Sequence, residues 1–513
     1  MKLAKTWSIA LNGIEPFRVE VEVSTNDAAG SDNFLSIVGV PDTTVRESRE
    51  RVRSAINASG FHFPMGSTTI SLAPAGIKKS GSALDLPIAM ALIASCDENF
   101  PLEALNETVF IGELGLDGHI RSVKGALAMA LYARELDYKQ IYIAEDNAKE
   151  AAIAEGVKVI PVKNLSQVYQ SLQGTINLSP VQTNLEALFS QEQNHSLVDF
   201  AYIKGQTALR RGLEIAACGS HNLLMIGPPG CGKTLMARSF PTILPKLSLE
   251  EALKVTQIHS IAGTLEAGQS LITQRPYRSP HHTISEAGLL GGSSNPRPGE
   301  VSLAHRGVLF LDELPEYKRS TLEVLRQPME SGDVEISRAN GSCRFPADFT
   351  LISAMNPCPC GFFGSSQKEC RCTSMQIQRY RNKISGPLLD RIDLHLEVNP
   401  LSQEELMKKA EGESSASIRE RVEQARELQH KRFGDSRTNA SLNAKELQEL
   451  CELDSGSREL LQNAISSLDL SARAYDRILR VSRTIADLEA SEAIQAEHIA
   501  EAIQYRSLDR KLW

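Results

Sequence analysis

Residues His221–Phe240 read HNLLMIGPPGCGKTLMARSF. An apolar run, NLLMI, gives way to G-x-x-x-x-G-K-T from Gly227 to Thr234 and then to a helix-forming stretch. Strand, tight turn and helix are the context in which this spacing cradles phosphate. Glycines let the backbone wrap closely around phosphate oxygens, and the turn's N–H groups and the positive helix end stabilise their charge. Gly227, Pro228, Pro229, Gly230, Cys231, Gly232, Lys233 and Thr234 are therefore predicted to hold ATP, with Lys233 on the β/γ-phosphates and Thr234 on Mg2+.

A P-loop needs an acidic partner at the carboxyl end of a neighbouring strand. HRGVLFLDELPE supplies one: Asp312 completes the Mg2+ shell, and Glu313 is free to orient or deprotonate water. The order of these pieces resembles the AAA+ ATPases, and more closely the magnesium-chelatase-like branch that also contains the minichromosome maintenance helicases. On that resemblance Asn356, ending FTLISAMN, matches the polar sensor of the γ-phosphate. Arg391 in GPLLDRIDLHLEV matches the arginine finger offered to a neighbouring subunit, and Arg473 in LSARAYDRILR matches the second sensor of the helical lid. A finger acting in trans makes sense only where the next protomer completes each site, and a head-to-tail contact that closes is a ring. The resemblance implies a homo-oligomer, a hexamer.

Working outward, the 513-residue chain is too long for one core. Residues 17–175 alternate strand-like segments (FRVEVEV, TTISLAP, TVFIGEL, QIYIA) with helical runs over 43–59, 82–95 and 123–136, which reads as an α/β domain. Residues 176–196 are polar and Gln/Asn/Ser-rich, as a connector is. Between 197 and 400, strands such as NLLMI, GVLFLDEL and FTLISAM alternate with helices, predicting a mostly parallel sheet covered on both faces. Residues 401–513 carry helical spacing throughout and are expected to form an all-α lid. The start, MKLAKTWSIALNGIEPF, has no sustained apolar stretch, and LPIAMALIAS is too short for a bilayer, so a cytoplasmic protein with no membrane contact is expected.

The formal net charge of −8 speaks against a nucleic-acid-attracting whole surface, so any such contact needs a local basic lining. DVEISRANGSCRFPADF offers one: strand-like residues flank Asn340-Gly341, a dipeptide preferred in hairpin turns, and the tip carries Arg338, Asn340 and Arg344 with no acid between them. In the resembling helicases a hairpin at this point projects into the pore and grips the nucleic-acid backbone. The Gly/Pro/Ser-rich stretch 275–300 is expected to be an irregular loop or hairpin on the same side, with His281 and His282 as hydrogen-bonding groups rather than metal ligands.

Cys358–Cys372 reads CPCGFFGSSQKECRC. Two Cys-x-Cys pairs can converge on one tetrahedral ion, and Cys358, Cys360, Cys370 and Cys372 together favour structural Zn2+, an iron–sulfur cluster being the alternative. Such a closed site clamps rather than catalyses.

The N-terminal domain resembles the proteolytic domain of Lon. APAGIKKSGSALDLPIAMALIAS places Ser82 at the nucleophile position and DGHIRSVKGALAMALYAREL places Lys124 at the lysine position, but the glycine following the nucleophile pair in Lon is Leu84 here. Ser82-Ala-Leu-Asp85 also reads as a capping box opening a helix.

Over its whole length the chain resembles the YifB/ComM family of magnesium-chelatase-like proteins: a Lon-like α/β domain (1–175), a linker (176–196), an AAA+ core with a four-cysteine insertion (197–400) and a helical lid (401–513). The resemblance implies an ATP-driven ring helicase acting on single-stranded or branched DNA. Branch migration during natural transformation, alongside recombination proteins, is the activity it suggests. A protein-remodelling motor of the magnesium-chelatase type and an ATP-dependent Ser/Lys peptidase are the competing readings.

Overall fold

Two sheets organise the chain in a computed structural model, which describes residues 2–26, 34–64, 66–190, 198–266, 268–292, 296–338, 341–365, 368–402, 404, 407, 412–468 and 470–508. The first has seven strands in the order Phe34–Val38, Ser67–Ala73, Glu15–Asn26, Lys2–Asn12, Thr108–Ile111, Gln140–Ala144, Lys158–Val162. Its centre is a long antiparallel hairpin in which Lys2 pairs with Thr25 and Asn12 with Glu15. Alternation along Glu15–Asn26 puts Val19, Val21 and Val23 inside, where they meet the almost wholly buried helix Asp85–Cys96. That helix begins at Asp85 rather than Ser82, and its N-cap Leu84 makes no side-chain bond. The capping-box expectation is therefore corrected: Ser82 Oγ turns instead to Glu113.

The second sheet has five parallel strands in the order Tyr277–Arg278, Val308–Leu311, Thr350–Met355, Leu223–Ile226, Leu394–Glu397. Both faces are buried, as a parallel sheet requires. Leu223, Met225, Phe310, Ile352 and Leu396 join one core with Val422, Ile478 and Ile499 of the C-terminal helices. Leu224, Leu309, Leu311 and Leu351 join another with Val334, Phe345 and Leu388. The P-loop strand lies between strands that leave to opposite sides, so its carboxyl end opens at the topological switch point where ligands bind in such sheets.

Residues 275–300 depart from an irregular loop: Tyr277–Arg278 is the sheet's edge strand and Glu286–Leu290 is a short helix. The polar connector likewise contains a helix, Leu185–Ser190, whose Leu185, Leu188 and Phe189 pack on the N-terminal core. Beyond Pro400 the described elements are helical, the longest being Ser415–Phe433 and Ala472–Leu488. No described helix is long and apolar enough to cross a membrane.

The two α/β units share a core. Ala252 and Val255, on helix Leu249–Ala262 that follows the P-loop helix, pack with Leu127 and Ala130. At the end of that helix Ser260 Oγ accepts from Gly125 N–H at 2.9 Å and donates to the buried Glu150 carboxylate.

Candidate active site

The turn from Gly227 to Gly232 closes with Gly230 at φ +78° and Gly232 at φ +91°, left-handed values that favour glycine. A Cβ at either position would meet nothing within 4 Å, so the loop bounds open space. Helix Lys233–Ser239 starts there. Lys233 is buried, and its Nζ donates to Gly227 O at 2.7 Å, Pro228 O at 2.9 Å and Asn356 Oδ1 at 3.3 Å. Thr234 Oγ1 donates to Asp312 Oδ2 at 2.8 Å, and Glu313 N–H to Asp312 Oδ1 at 3.0 Å. Lys233, Thr234, Asp312, Glu313 and Asn356, from three adjacent strands and their turns, thus meet around one cleft. A hydroxyl beside a carboxylate, under a lysine and an open amide loop, fits a triphosphate and the Mg2+ that accompanies it.

Glu313 stands at φ +52°, unusual for a non-glycine residue, with its side chain 57% exposed beside the cleft. Its neighbour was not legible in the sequence: His282 Nδ1 lies 3.9 Å from Glu313 Oε2. The ring of His282 also lies 6.3 Å from Tyr317, edge to face, and Tyr317 OH donates to Pro280 O at 2.6 Å. No spacing rule connects position 282 with 313; only the fold does. His281 bonds Thr283 Oγ1 at 2.9 Å.

Arg391 and Arg473 are gathered elsewhere. Asn222, which opens the P-loop strand, donates from Nδ2 to Arg391 O at 3.1 Å, so Arg391 sits at the amino edge of the sheet. A strand advances about 3.3 Å per residue, which sets the Arg391 backbone roughly 16 Å from Gly227. Its guanidinium pairs with Glu330 and donates to Pro387 O at 2.7 Å, while the buried Nε has no partner among the described residues. Arg473 pairs with Asp390 at 3.1 Å, and both arginines line one cavity of about 530 Å³ together with Asp393 and Arg477. Burial alone would raise the Asp393 carboxyl, but Arg477 and His221 hold it below the usual range, so this edge keeps its charges.

Cys358, Cys360, Cys370 and Cys372 offer sulfurs that all lie within 4.8 Å of one another. Cys358 Sγ is 3.3 Å from Cys360 Sγ and 3.7 Å from Cys370 Sγ. Backbone N–H groups of Phe362 and Arg371 push the Cys360 thiol down to about 6. At Cys370 the Cys372 N–H is outweighed by desolvation and the adjoining sulfurs, which push that thiol up to about 12, and Cys372 is pushed up as well, so in the metal-free cluster one sulfur carries the thiolate character.

The basic hairpin forms with strands Asp333–Arg338 and Gly341–Pro346, but the register is one residue from expectation: Gly341 pairs with Arg338 instead of lying in the turn. Asn340 and the Arg338 side chain fall outside the described residues. Arg344 stands opposite Glu335 and its guanidinium pairs with Asp333, so acids at the hairpin base engage it.

Ser82 and Lys124 are each engaged with other groups. Ser82 bonds Glu113, whereas Lys124 Nζ donates to Ala262 O at 3.4 Å, at the end of helix Leu249–Ala262. A Cβ at Gly263 would come within 2.6 Å of Lys124 Cε. Lys124 acts on a helix C-terminus, where a cation meets unsatisfied carbonyls.

Cleft, sheet order and helical lid define a magnesium-chelatase-like protein of the AAA+ class. Residues 199–406 match the family "Magnesium chelatase, subunit ChlI", residues 19–147 "Subunit ChlI of Mg-chelatase", and residues 412–506 "Magnesium chelatase, subunit ChlI C-terminal". The chain is 44% identical over 500 residues to YifB of Escherichia coli, covering 97% of this chain and 95% of that protein. It is 41% identical over 515 residues to competence protein ComM of Haemophilus influenzae, covering 100% of this chain and 99% of the relative. Lon protease 2 of Bacillus subtilis is 31% identical over 192 residues, covering 31% of this chain and 33% of the protease. The chain belongs to the YifB/ComM family of magnesium-chelatase-like proteins.

Proposed function

We propose that the protein is a ring-forming ATPase that moves along DNA, acting on single-stranded or branched substrates in the manner of a branch-migration helicase. The observation that carries the ring is the separation of its parts. Lys233, Thr234, Asp312, Glu313 and Asn356 meet at the carboxyl edge of the sheet, while Arg391 and Arg473 lie together at the amino edge. An arginine that must touch the γ-phosphate from that edge has to touch a neighbour's, so the active unit is a head-to-tail oligomer.

Within each cleft Lys233 would exchange its carbonyl contacts for phosphate oxygens. Asn356, already on Lys233, would orient the attacking water or read the γ-phosphate, and exposed Glu313 would accept that water's proton. Thr234 and Asp312 would hold Mg2+, which when bound neutralises charge on the β- and γ-phosphates. Arg391 of the next protomer would then stabilise charge on the transferring group, releasing Glu330 as it does so. The four cysteines would hold a structural Zn2+.

DNA as the track is supported by the hairpin, whose Val334 and Phe345 share a buried core with Leu351 and Met355 of the Asn356 strand, a route by which movement at the sensor would reach Arg338 and Arg344. The relative in Haemophilus influenzae is named a competence protein, which suits a role in processing incoming DNA. A protein-remodelling motor is the second reading, favoured by the Arg344–Asp333 pair that occupies one of the two hairpin cations. ATP hydrolysis measured with and without single-stranded and forked DNA separates them. Stimulation lost in the Arg338→Ala, Arg344→Ala chain supports the DNA motor; indifference to DNA transfers the function to remodelling.

A further inference from the structure

The four-cysteine loop is more than a decoration of the sensor strand. It leaves that strand immediately after Asn356 and folds back onto the P-loop itself. Gly361, at φ +85°, is so close to the turn that a Cβ there would stand 2.6 Å from Pro229 Cδ and 3.9 Å from Asn356 Cγ. The loop's local bonds hold Gly361 in that place: Gly361 N–H donates to Cys358 O at 2.9 Å, and Phe363 N–H to Cys358 Sγ at 3.3 Å. From outside, Arg381 donates to Pro357 O at 3.2 Å and lies 5.3 Å over the Phe363 ring. Cys358 is itself fully buried. The sulfur cluster, the P-loop proline and the sensor asparagine are therefore one contact unit.

We propose that metal occupancy of the four-cysteine site sets the affinity of the P-loop for nucleotide. This rests on the reading of the cysteines as a zinc site and of the P-loop as the ATP site, and adds that the first controls the second. With Zn2+ bound, the four thiolates are drawn onto one cation and the Cys358–Gly361 turn is pinned, so Gly361 buttresses Pro229 and the amide cradle is pre-organised for phosphate. Without Zn2+ the thiols lose their common centre and the buttress loosens. The P-loop must then be ordered at the expense of nucleotide binding energy. Loss of zinc by chelation thus weakens the motor at its nucleotide-binding step.

The test uses the full-length protein, with zinc per protomer measured by atomic emission and nucleotide affinity by mant-ATP fluorescence. Three preparations are compared: as purified, after stripping with a zinc-selective chelator, and after restoring Zn2+. Because displacement of a binding group by about 1 Å is costly, stripping is expected to weaken Kd about tenfold, with recovery on re-addition. Gly361→Ala should keep the wild-type zinc content yet bind mant-ATP about tenfold more weakly, since its Cβ displaces Pro229 without removing a thiol. Stripped protein with an unchanged circular-dichroism spectrum and an unchanged Kd would overturn the coupling while leaving both sites standing. Wild-type protein that neither contains nor takes up zinc would overturn the metal reading and the coupling together. Lys233→Ala is the control for the other footing: if it binds mant-ATP like wild type, the phosphate site is misassigned. Should Gly361→Ala fail to fold, stripping and restoration decide alone.

Discussion

The phosphate cleft and the Ser82 surface of the N-terminal domain both carry strings that match a catalytic family, yet their side chains behave oppositely. In the cleft, residues 123 and 78 positions apart find each other: Lys233 meets Asn356 and Thr234 meets Asp312. In the N-terminal domain Ser82 pairs with Glu113, while Lys124 serves as a cation on the last turn of helix Leu249–Ala262. What decides function is convergence. The N-terminal domain has a well-packed core, and Lys124 sits where that domain meets the AAA+ unit, beside the buried Glu150–Ser260 contact.

Substitutions put this contrast to the test. The largest effect is expected at Arg391: a finger that stabilises the transferring phosphoryl group contributes roughly a thousandfold to turnover, so Arg391→Ala should nearly abolish hydrolysis while mant-ATP still binds. Glu313→Gln should retain nucleotide and lose about a hundredfold in turnover, as removal of a general base does; equal hydrolysis would strip Glu313 of its role. Smaller effects belong to the hairpin. Arg338→Ala and Arg344→Ala should each lower the slope of log affinity for single-stranded DNA against log salt by about one, and unchanged slopes would take the hairpin off the DNA path. Smallest of all, Ser82→Ala should leave hydrolysis unaltered and casein undegraded. Lys124→Ala should lower Tm by at most a few degrees, read by calorimetry, through its lost helix-end contact. Casein cleavage abolished by Ser82→Ala would reverse the contrast.

How much of this was legible depended on how local the determinants are. The P-loop and the Asp312–Glu313 strand are written in contiguous strings whose spacing is itself the geometry, and the cysteine pairs likewise. Lys2–Asn12 was harder. The segment KLAKTWSIALN, a central strand, has its partner Glu15–Asn26 just across a two-residue turn, yet KLAKT breaks simple alternation, and its burial comes from the later helix Asp85–Cys96. The helix start moved from Ser82 to Asp85 because Glu113, thirty-one positions on, competes for the serine hydroxyl. Asp85 meanwhile is taken by Arg51 and Ser48. His282 beside Glu313, Glu330 on Arg391 and Asp333 on Arg344 are partners chosen by tertiary packing, and no sequence period encodes them.

On the proposed reading, each ATP is hydrolysed between two copies of the chain. Lys233→Ala lacks a working P-loop but still presents Arg391; Arg391→Ala has the P-loop and lacks the arginine. Each alone should be silent, and mixing them should restore hydrolysis that rises with protein concentration. A mixture that stays silent, or an Arg391→Ala protein that hydrolyses ATP at the wild-type rate, would contradict the account.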